Sequence, residues 1–193
     1  YIDNYEKEKT SAGVIQEEDL TDKTLLTLGY NYKKDRPKGN NWGALTMLDK
    51  DGKMLSYPRS YNTMPDWVHW DVERQNTFVE LKHNFNDDWS LQTSYNYNQQ
   101  KENGALLYFT GVPDADGKGV SEYPSLFEET NKNHNIDLSL LGKYPLFGQT
   151  HELMLGANWT QNKVSQQSFY IAGKSTPIDN WNDYQNSSYP DFI

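Results

Sequence analysis

Residues Trp89–Asn98 read WSLQTSYNYN, and the fold can be inferred from the alternation in this segment. Its odd-numbered positions are mostly apolar or aromatic, namely Trp89, Leu91, Tyr95 and Tyr97. The even positions carry Ser, Gln or Asn. Because side chains alternate between the two faces of a β-strand, this pattern predicts a strand with one apolar face and one polar face.

The same alternation recurs in other parts of the chain. It is found at residues 24–34, 77–85, 135–144 and 152–159, and more weakly at about 7–18. Short segments rich in Asp, Asn and Gly join neighbouring strands at Thr21-Asp22-Lys23, Asn86-Asp87-Asp88 and 145–149. These residue types favour turns. The sequence therefore predicts an all-β chain of about six antiparallel strands, arranged as three hairpins.

Long stretches without alternation separate the hairpins, at about 35–72, 101–132 and 161–193. Loops this long are uncommon in compact domains and usually serve a function. Short turns at one end of the strands and long loops at the other are typical of a bacterial transmembrane β-barrel. Aromatic residues near both strand ends agree with the two interfacial girdles of such barrels, at Tyr30, Tyr32, Tyr95, Tyr97 and Trp159 on one side and Phe85, Trp89 and Tyr144 on the other.

Six strands are too few to close a barrel, since the smallest have about eight. An open sheet edge in lipid would leave backbone groups unpaired, at several kcal/mol each. We therefore expect residues 1–193 to form part of one β-barrel domain, as an incomplete antiparallel transmembrane segment with long extracellular loops.

Composition limits the other function classes. The 193 residues carry 27 acidic and 18 basic side chains, a net charge of −9, which argues against a nucleic-acid partner. The absence of cysteine excludes disulfides and Cys-based zinc sites. No apolar run approaches the roughly 20 residues of a transmembrane helix. No catalytic motif stands out, so we expect no enzyme and no catalytic residue.

Aromatic residues make up 14% of this hydrophilic chain, which leaves a second hypothesis open. A soluble carbohydrate-binding β-sandwich could use Trp42, Trp67 and Trp70 as a stacking platform. The two hypotheses differ in what the apolar strand faces contact. A sandwich buries them against a second sheet, whereas a barrel leaves them facing outward from a single sheet; the residues that decide are Leu91, Tyr95, Leu138 and Leu155.

Three runs of sequence resemble the TonB-dependent outer-membrane receptors for ferric siderophores, in the hydroxamate (coprogen) or pyoverdine branch. The first lies within residues 5–29 and includes EDLT and TLLTLG. The second lies within 41–91 and includes NWG, YPRS and DWVHWD. The third is HELMLGA at 151–157. Together these runs span nearly the whole chain, in the order found in the family.

This resemblance implies a location in the Gram-negative outer membrane, in contact with its lipid. It implies that a ferric siderophore binds between extracellular loops and a plug domain, which lies outside this chain. Import would then use energy from the TonB complex, acting through that plug. The siderophore itself holds the iron, so we expect no cofactor and no metal ligand from the protein.

Six loop residues are the candidate ligand-binding residues: Trp42, Tyr57, Arg59, Trp67, Trp70 and Tyr108. Aromatic faces give contact area at little entropic cost, and indole or phenol groups add a hydrogen bond. Arg59 could bond a ligand carboxylate or hydroxamate oxygen. The competing interpretation is that the aromatics pack loop against loop or lie at the membrane interface, and that Arg59 pairs with a neighbouring Asp.

Two Asp-x-Asp-Gly sequences, at 49–52 and 114–117, resemble the start of a calcium-binding loop. Both lack the acidic residue that an EF-hand has at its twelfth position. Asp-Gly is also a common turn dipeptide, so we predict turns here. The four histidines show no ligand spacing, and we predict no metal site.

Overall fold

The computed structural model describes residues 2–43, 45–184 and 188–192. Six long antiparallel strands form one sheet in chain order, and each pairs with its neighbours in sequence. They are β1 (Glu6–Thr21), β2 (Thr24–Lys38), β3 (His69–Asn84), β4 (Trp89–Gly111), β5 (Val120–Leu146) and β6 (Gln149–Tyr170). A two-residue strand, β7 (Thr176–Pro177), pairs with β5 beyond the end of β6. Within the described residues, no helix is both long and apolar enough to cross a bilayer.

The apolar positions of neighbouring strands lie side by side across the sheet. The ladder pairs Leu28 with Val79, Val79 with Tyr95, Tyr95 with Ile136, and Ile136 with Trp159. A slip of one residue between any two strands would turn one of them over, so the pattern fixes the register. We call the face with these side chains the exterior face and the opposite one the interior face.

No second sheet covers the exterior face in the described part of the chain, where all strands belong to one sheet. Tyr95, Leu138 and Leu155 are 38%, 43% and 54% exposed, and Leu91 is partly exposed. The β-sandwich hypothesis is therefore wrong for this chain. The described part of β1 pairs only with β2, and that of β6 only with β5, so the sheet is open, as predicted for a barrel segment.

The three short turns are confirmed at one end of the sheet. Residues 22–23 join β1 to β2, 85–88 join β3 to β4, and 147–148 join β5 to β6. Phe147 and Gly148 both have positive φ, 50° and 77°, as in the type I′ turn whose twist suits a hairpin. Asn86 stabilises its turn because its side-chain oxygen accepts backbone N–H bonds from Asp88 and Trp89, each at 2.9 Å.

The predicted long loops need correction. The loop predicted at 101–132 is wrong, since β4 and β5 continue through it and only residues 112–119 connect them. The first loop spans 39–68 rather than 35–72, and β6 continues to Tyr170. In a transmembrane barrel neither face of a strand meets hydrocarbon beyond the bilayer, so no strict alternation of apolar and polar side chains is imposed there, while the backbone ladder continues.

The spacing of aromatic residues on the exterior face agrees with a membrane-spanning height. Tyr144 lies near the short turns, and Tyr97 pairs with His134 farther along the sheet. The strand from His134 to Tyr144 spans about 33 Å, which a tilt of about 40° reduces to about 25 Å. That is the height of the apolar band of a transmembrane barrel. The outer part of each strand therefore extends beyond this band.

The buried core lies at the outer end of the sheet. There, loop 39–68 and residues 171–184 fold against the extended β4–β5 hairpin, and we call this assembly the outer cap. Its buried apolar residues are Met64, Val68, Ala105, Leu106, Leu107, Val120 and Trp181. Asn62 fixes the loop, because its side-chain amide donates to the carbonyl oxygens of Asp3 and Gly39 at 2.8 Å.

Candidate functional site

The interior face is polar at mid-height. One level of the ladder carries an asparagine on each of five consecutive strands, which we call the amide rung: Asn31, Asn76, Asn98, Asn133 and Asn162. The side-chain amide of Asn76 donates to Asn98 at 2.6 Å. The interior wall thus offers neutral hydrogen-bonding groups, as expected of a face that meets water.

Charged groups lie on the interior face just outside the amide rung. Lys33 pairs with Arg74 across the ladder. The Arg74 guanidinium lies 3.6 Å from the Asp35 carboxylate and donates to the Gln100 side-chain oxygen at 2.7 Å. Arg74 is thereby held in place, and the surface at this level carries net positive charge.

Farther out, the interior face becomes aromatic. Five aromatic side chains lie on the interior side of their strands: Trp70, Tyr108, Tyr123, Phe127 and Tyr170. Each is an even number of residues away from the asparagine that its own strand contributes to the amide rung, so it leaves the same face of the sheet. The rings make contact in pairs, with centroids 6.1 Å apart for Trp70 and Phe127 and 5.6 Å apart for Tyr123 and Tyr170. Trp42, from loop 39–68, contacts Tyr108 at 6.0 Å. We call these six residues the interior aromatic wall.

The Trp70 indole is fixed by a hydrogen-bonded series of interior residues. Its Nε1–H donates to Oε2 of Glu102 at 2.8 Å. The other oxygen of Glu102 accepts from Gln100, which in turn accepts from Arg74. A buried indole N–H needs such a partner, and here the carboxylate also sets the angle of the ring. Trp70 is therefore a rigid anchor on the wall.

Two of the predicted site residues lie elsewhere, in the packing of the outer cap. Trp67 packs against the cluster of Met64, Val68 and Leu107, and Leu107 lies on the exterior side of β4. The Tyr57 hydroxyl donates to the Thr46 carbonyl oxygen and accepts from Nε1–H of Trp181, both at 2.9 Å. These two aromatics shape the cap.

Arg59 is exposed on loop 39–68. Among the described residues, no carboxylate lies within 4.0 Å of its guanidinium, so the predicted alternative of pairing with a neighbouring Asp is not seen there.

Of the six predicted site residues, the structure thus brings Trp42, Trp70 and Tyr108 to the interior aromatic wall. Sequence reasoning missed Tyr123, Phe127 and Tyr170, because they lie in segments that were predicted to be loops. They could have been found from the odd or even numbering of the positions along each strand. Tyr123 and Phe127 have the same odd numbering as Asn133 and other interior residues of β5.

The two Asp-Gly sequences form turns, as predicted. Oδ1 of Asp49 accepts the backbone N–H groups of Asp51 and Lys53 at 3.0 and 2.8 Å. Asp114 accepts those of Asp116 and Lys118 at the same distances. The N–H of Lys118, with a smaller contribution from that of Asp116, lowers the pKa of Asp114 against an opposing effect of desolvation. In the part of the chain that the structure describes, no three His, Cys, Asp or Glu side chains cluster as a metal site requires.

No protein-family model matches the chain. It is 28% identical over 200 residues to the ferric-pyoverdine BN7/BN8 receptor of Pseudomonas putida, covering 100% of the chain and 25% of the receptor. A second relative, the ferric-pyoverdine M114 receptor of a Pseudomonas species, is 32% identical over 154 residues, covering 79% of the chain and 18% of the receptor. The chain thus spans about a quarter or less of the length of the curated relatives it matches.

The fold has a close counterpart in the solved pyoverdine outer-membrane receptor of Pseudomonas aeruginosa bound to pyoverdine. The two superpose with a TM-score of 0.86 at 24% identity, over 100% of this chain and 28% of the receptor chain. The fold therefore defines the class: the chain has the fold of a segment of such a receptor's β-barrel, an open antiparallel sheet, as predicted. These matches also confirm the resemblance to ferric-siderophore receptors, and within that class the relatives are receptors for ferric pyoverdine.

Proposed function

We propose that this chain forms part of the wall of an outer-membrane receptor that binds a ferric siderophore of the pyoverdine type. The observation that carries the proposal is the match along the full chain to a ferric-pyoverdine receptor. The polar interior face and the exposed apolar exterior face support it, because a barrel wall between lipid and an aqueous lumen needs this division. Import uses the TonB complex, and the exterior face contacts outer-membrane lipid.

The interior aromatic wall is the proposed contact surface for the siderophore. Trp42 and Tyr108 are 39% and 40% exposed, so their rings are available to a ligand. Trp70 is held by Glu102 in a fixed orientation. Rigid aromatics that are already in place lose little entropy on binding, which makes them effective anchors. The siderophore carries its iron as a chelate, so the wall supplies contact area and hydrogen bonds, with no bond to the metal.

The other three candidates have different proposed roles. Arg59, exposed on loop 39–68, is a proposed partner for an anionic or hydroxamate oxygen of the siderophore. Tyr57 and Trp67 act through the outer cap, where they hold the loop that carries Trp42.

The test uses the complete receptor with ferric pyoverdine as the probe. We expect Trp42→Ala and Trp70→Ala each to weaken binding about tenfold or more, because truncation of an aromatic anchor typically costs more than about 1.4 kcal/mol. Equilibrium titration of the purified receptor with ferric pyoverdine measures the affinity. Trp159→Ala is the matched control, since Trp159 is 50% exposed on the exterior face and should leave the affinity unchanged.

The possible results separate the site from the function. Wild-type affinity in both Trp42→Ala and Trp70→Ala would remove the interior aromatic wall as the contact surface. A complete receptor that shows no saturable binding of any ferric pyoverdine would overturn the proposed function itself.

A further inference from the structure

Two lysines face each other on the exterior of the sheet. Lys132 of β5 and Lys163 of β6 are direct partners in the ladder, so their side chains leave the same face. Both are exposed, and neither lies within 4.0 Å of a carboxylate among the described residues. Like charges placed directly opposite each other in a sheet are destabilising. We call these two residues the lysine pair.

The lysine pair lies just outside the aromatic level of the exterior face. His134 follows Lys132 on the same face of β5 and pairs with Tyr97. Two residues along a strand span about 7 Å, so the pair is one level of the ladder beyond these rings. Aromatic side chains mark the membrane–water interface of a barrel, and lysine ammonium groups next to it reach the lipid headgroups.

The nearest carboxylates on the exterior face are engaged elsewhere. Glu128 precedes Lys132 by four residues, about 13 Å along the strand, and accepts from the Asn103 amide at 3.3 Å. Glu73 of β3 lies opposite Lys101 of β4, and its carboxylate is 3.5 Å from the Lys34 ammonium. The charge of the lysine pair is therefore not balanced by these groups of the sheet.

We propose that the lysine pair binds the phosphate groups of a phosphorylated glycolipid in the outer leaflet. The position is continuous with the apolar band, so acyl chains can lie along Ile136 and Trp159 while the headgroup reaches the two ammonium groups. Two lysines supply up to six N–H donors to phosphate oxygens. The proposal rests on the outer-membrane location of the chain. It does not depend on the siderophore site, which lies on the opposite face.

The experiment uses the complete receptor, purified in neutral detergent, with lipid A as the probe. Binding is measured by native mass spectrometry across a lipid A titration. We expect Lys132→Gln/Lys163→Gln to weaken lipid A binding about thirtyfold, because each lysine near an anionic headgroup contributes roughly a factor of five. The matched control is Lys53→Gln/Lys118→Gln, which removes the same charge from exposed loop residues and should bind as the wild type does.

Further arms identify the group that is recognised. Dephosphorylated lipid A should bind the wild type as weakly as lipid A binds the lysine-pair variant, and inorganic phosphate alone should not compete at millimolar concentration. Equal lipid A affinity in the variant and the wild type would overturn the proposal, as would equal binding of the dephosphorylated lipid. Ferric-pyoverdine affinity should stay unchanged in the variant, so failure here is distinct from failure of the proposed function.

Discussion

Replacing Leu138 with Arg should destabilise the complete receptor in a lipid bilayer by about 2–4 kcal/mol. Leu138 lies on the exterior face, where it pairs with Thr93 and Ala157 at the middle of the apolar band and is 43% exposed in this chain. In the proposed outer-membrane barrel that exposed surface meets hydrocarbon. A guanidinium at this depth loses its hydration, and neither partner residue can replace the lost hydrogen bonds. Denaturant-induced unfolding in phosphatidylcholine vesicles measures the change.

Thr130→Arg is the control for depth. Thr130 lies on the same strand and the same face as Leu138, about 26 Å farther out and beyond the aromatic level. The cost of arginine falls to about 0–1 kcal/mol near and beyond the interface, so this variant should unfold almost as the wild type does. Equal destabilisation by the two substitutions would mean that the exterior face does not cross hydrocarbon.

Leu107→Ala should destabilise the folded outer cap by about 2–5 kcal/mol. The Leu107 side chain is fully buried between Met64 and Val68 of loop 39–68. Its truncation leaves a cavity that the loop cannot fill without moving. Because the same loop carries Trp42, we also expect weaker ferric-pyoverdine binding. The direct measurement is hydrogen exchange at the backbone N–H groups of Met64 and Val68, which donate to Asn62 and Pro65.

Both amides should exchange faster in Leu107→Ala than in the wild-type receptor. Leu146→Ala is the matched control, because Leu146 is 43% exposed beside the turn at the opposite end of β5. It should leave the exchange of loop 39–68 unchanged. Wild-type exchange rates in Leu107→Ala would show that the cap is held by something other than this apolar cluster.

The membrane-spanning part of the fold could be predicted from the sequence because hydrocarbon imposes a strict alternation. Leu91, Tyr95 and Leu138 lie on the exterior face, and Ser94 and Asp137 lie on the interior face, so period two is visible in the single sequence. The short turns were found for a similar reason. Gly148 and Asn86 have the residue types that tight turns require.

The outer part of the chain could not be predicted in this way. From Lys101 to Thr130 both strand faces meet water or the outer cap, so no alternation distinguishes strand from loop, and a loop was predicted where β4 and β5 continue. The same error hid Tyr123, Phe127 and Tyr170. It also gave Trp67 and Trp70 the same predicted role, although the structure places Trp67 in the outer cap and Trp70 on the interior aromatic wall.

The division of the sheet into a lipid face and an aqueous face can be tested by spin labelling along β4. The chain has no cysteine, so single cysteines at positions 90–98 can be labelled specifically once any other cysteine of the complete receptor has been removed. Accessibility to oxygen, which concentrates in lipid, should peak at positions 91, 93 and 95. Accessibility to a water-soluble nickel chelate should peak at positions 92, 94 and 96. Two profiles that rise and fall together, or that show no period of two, would contradict the account.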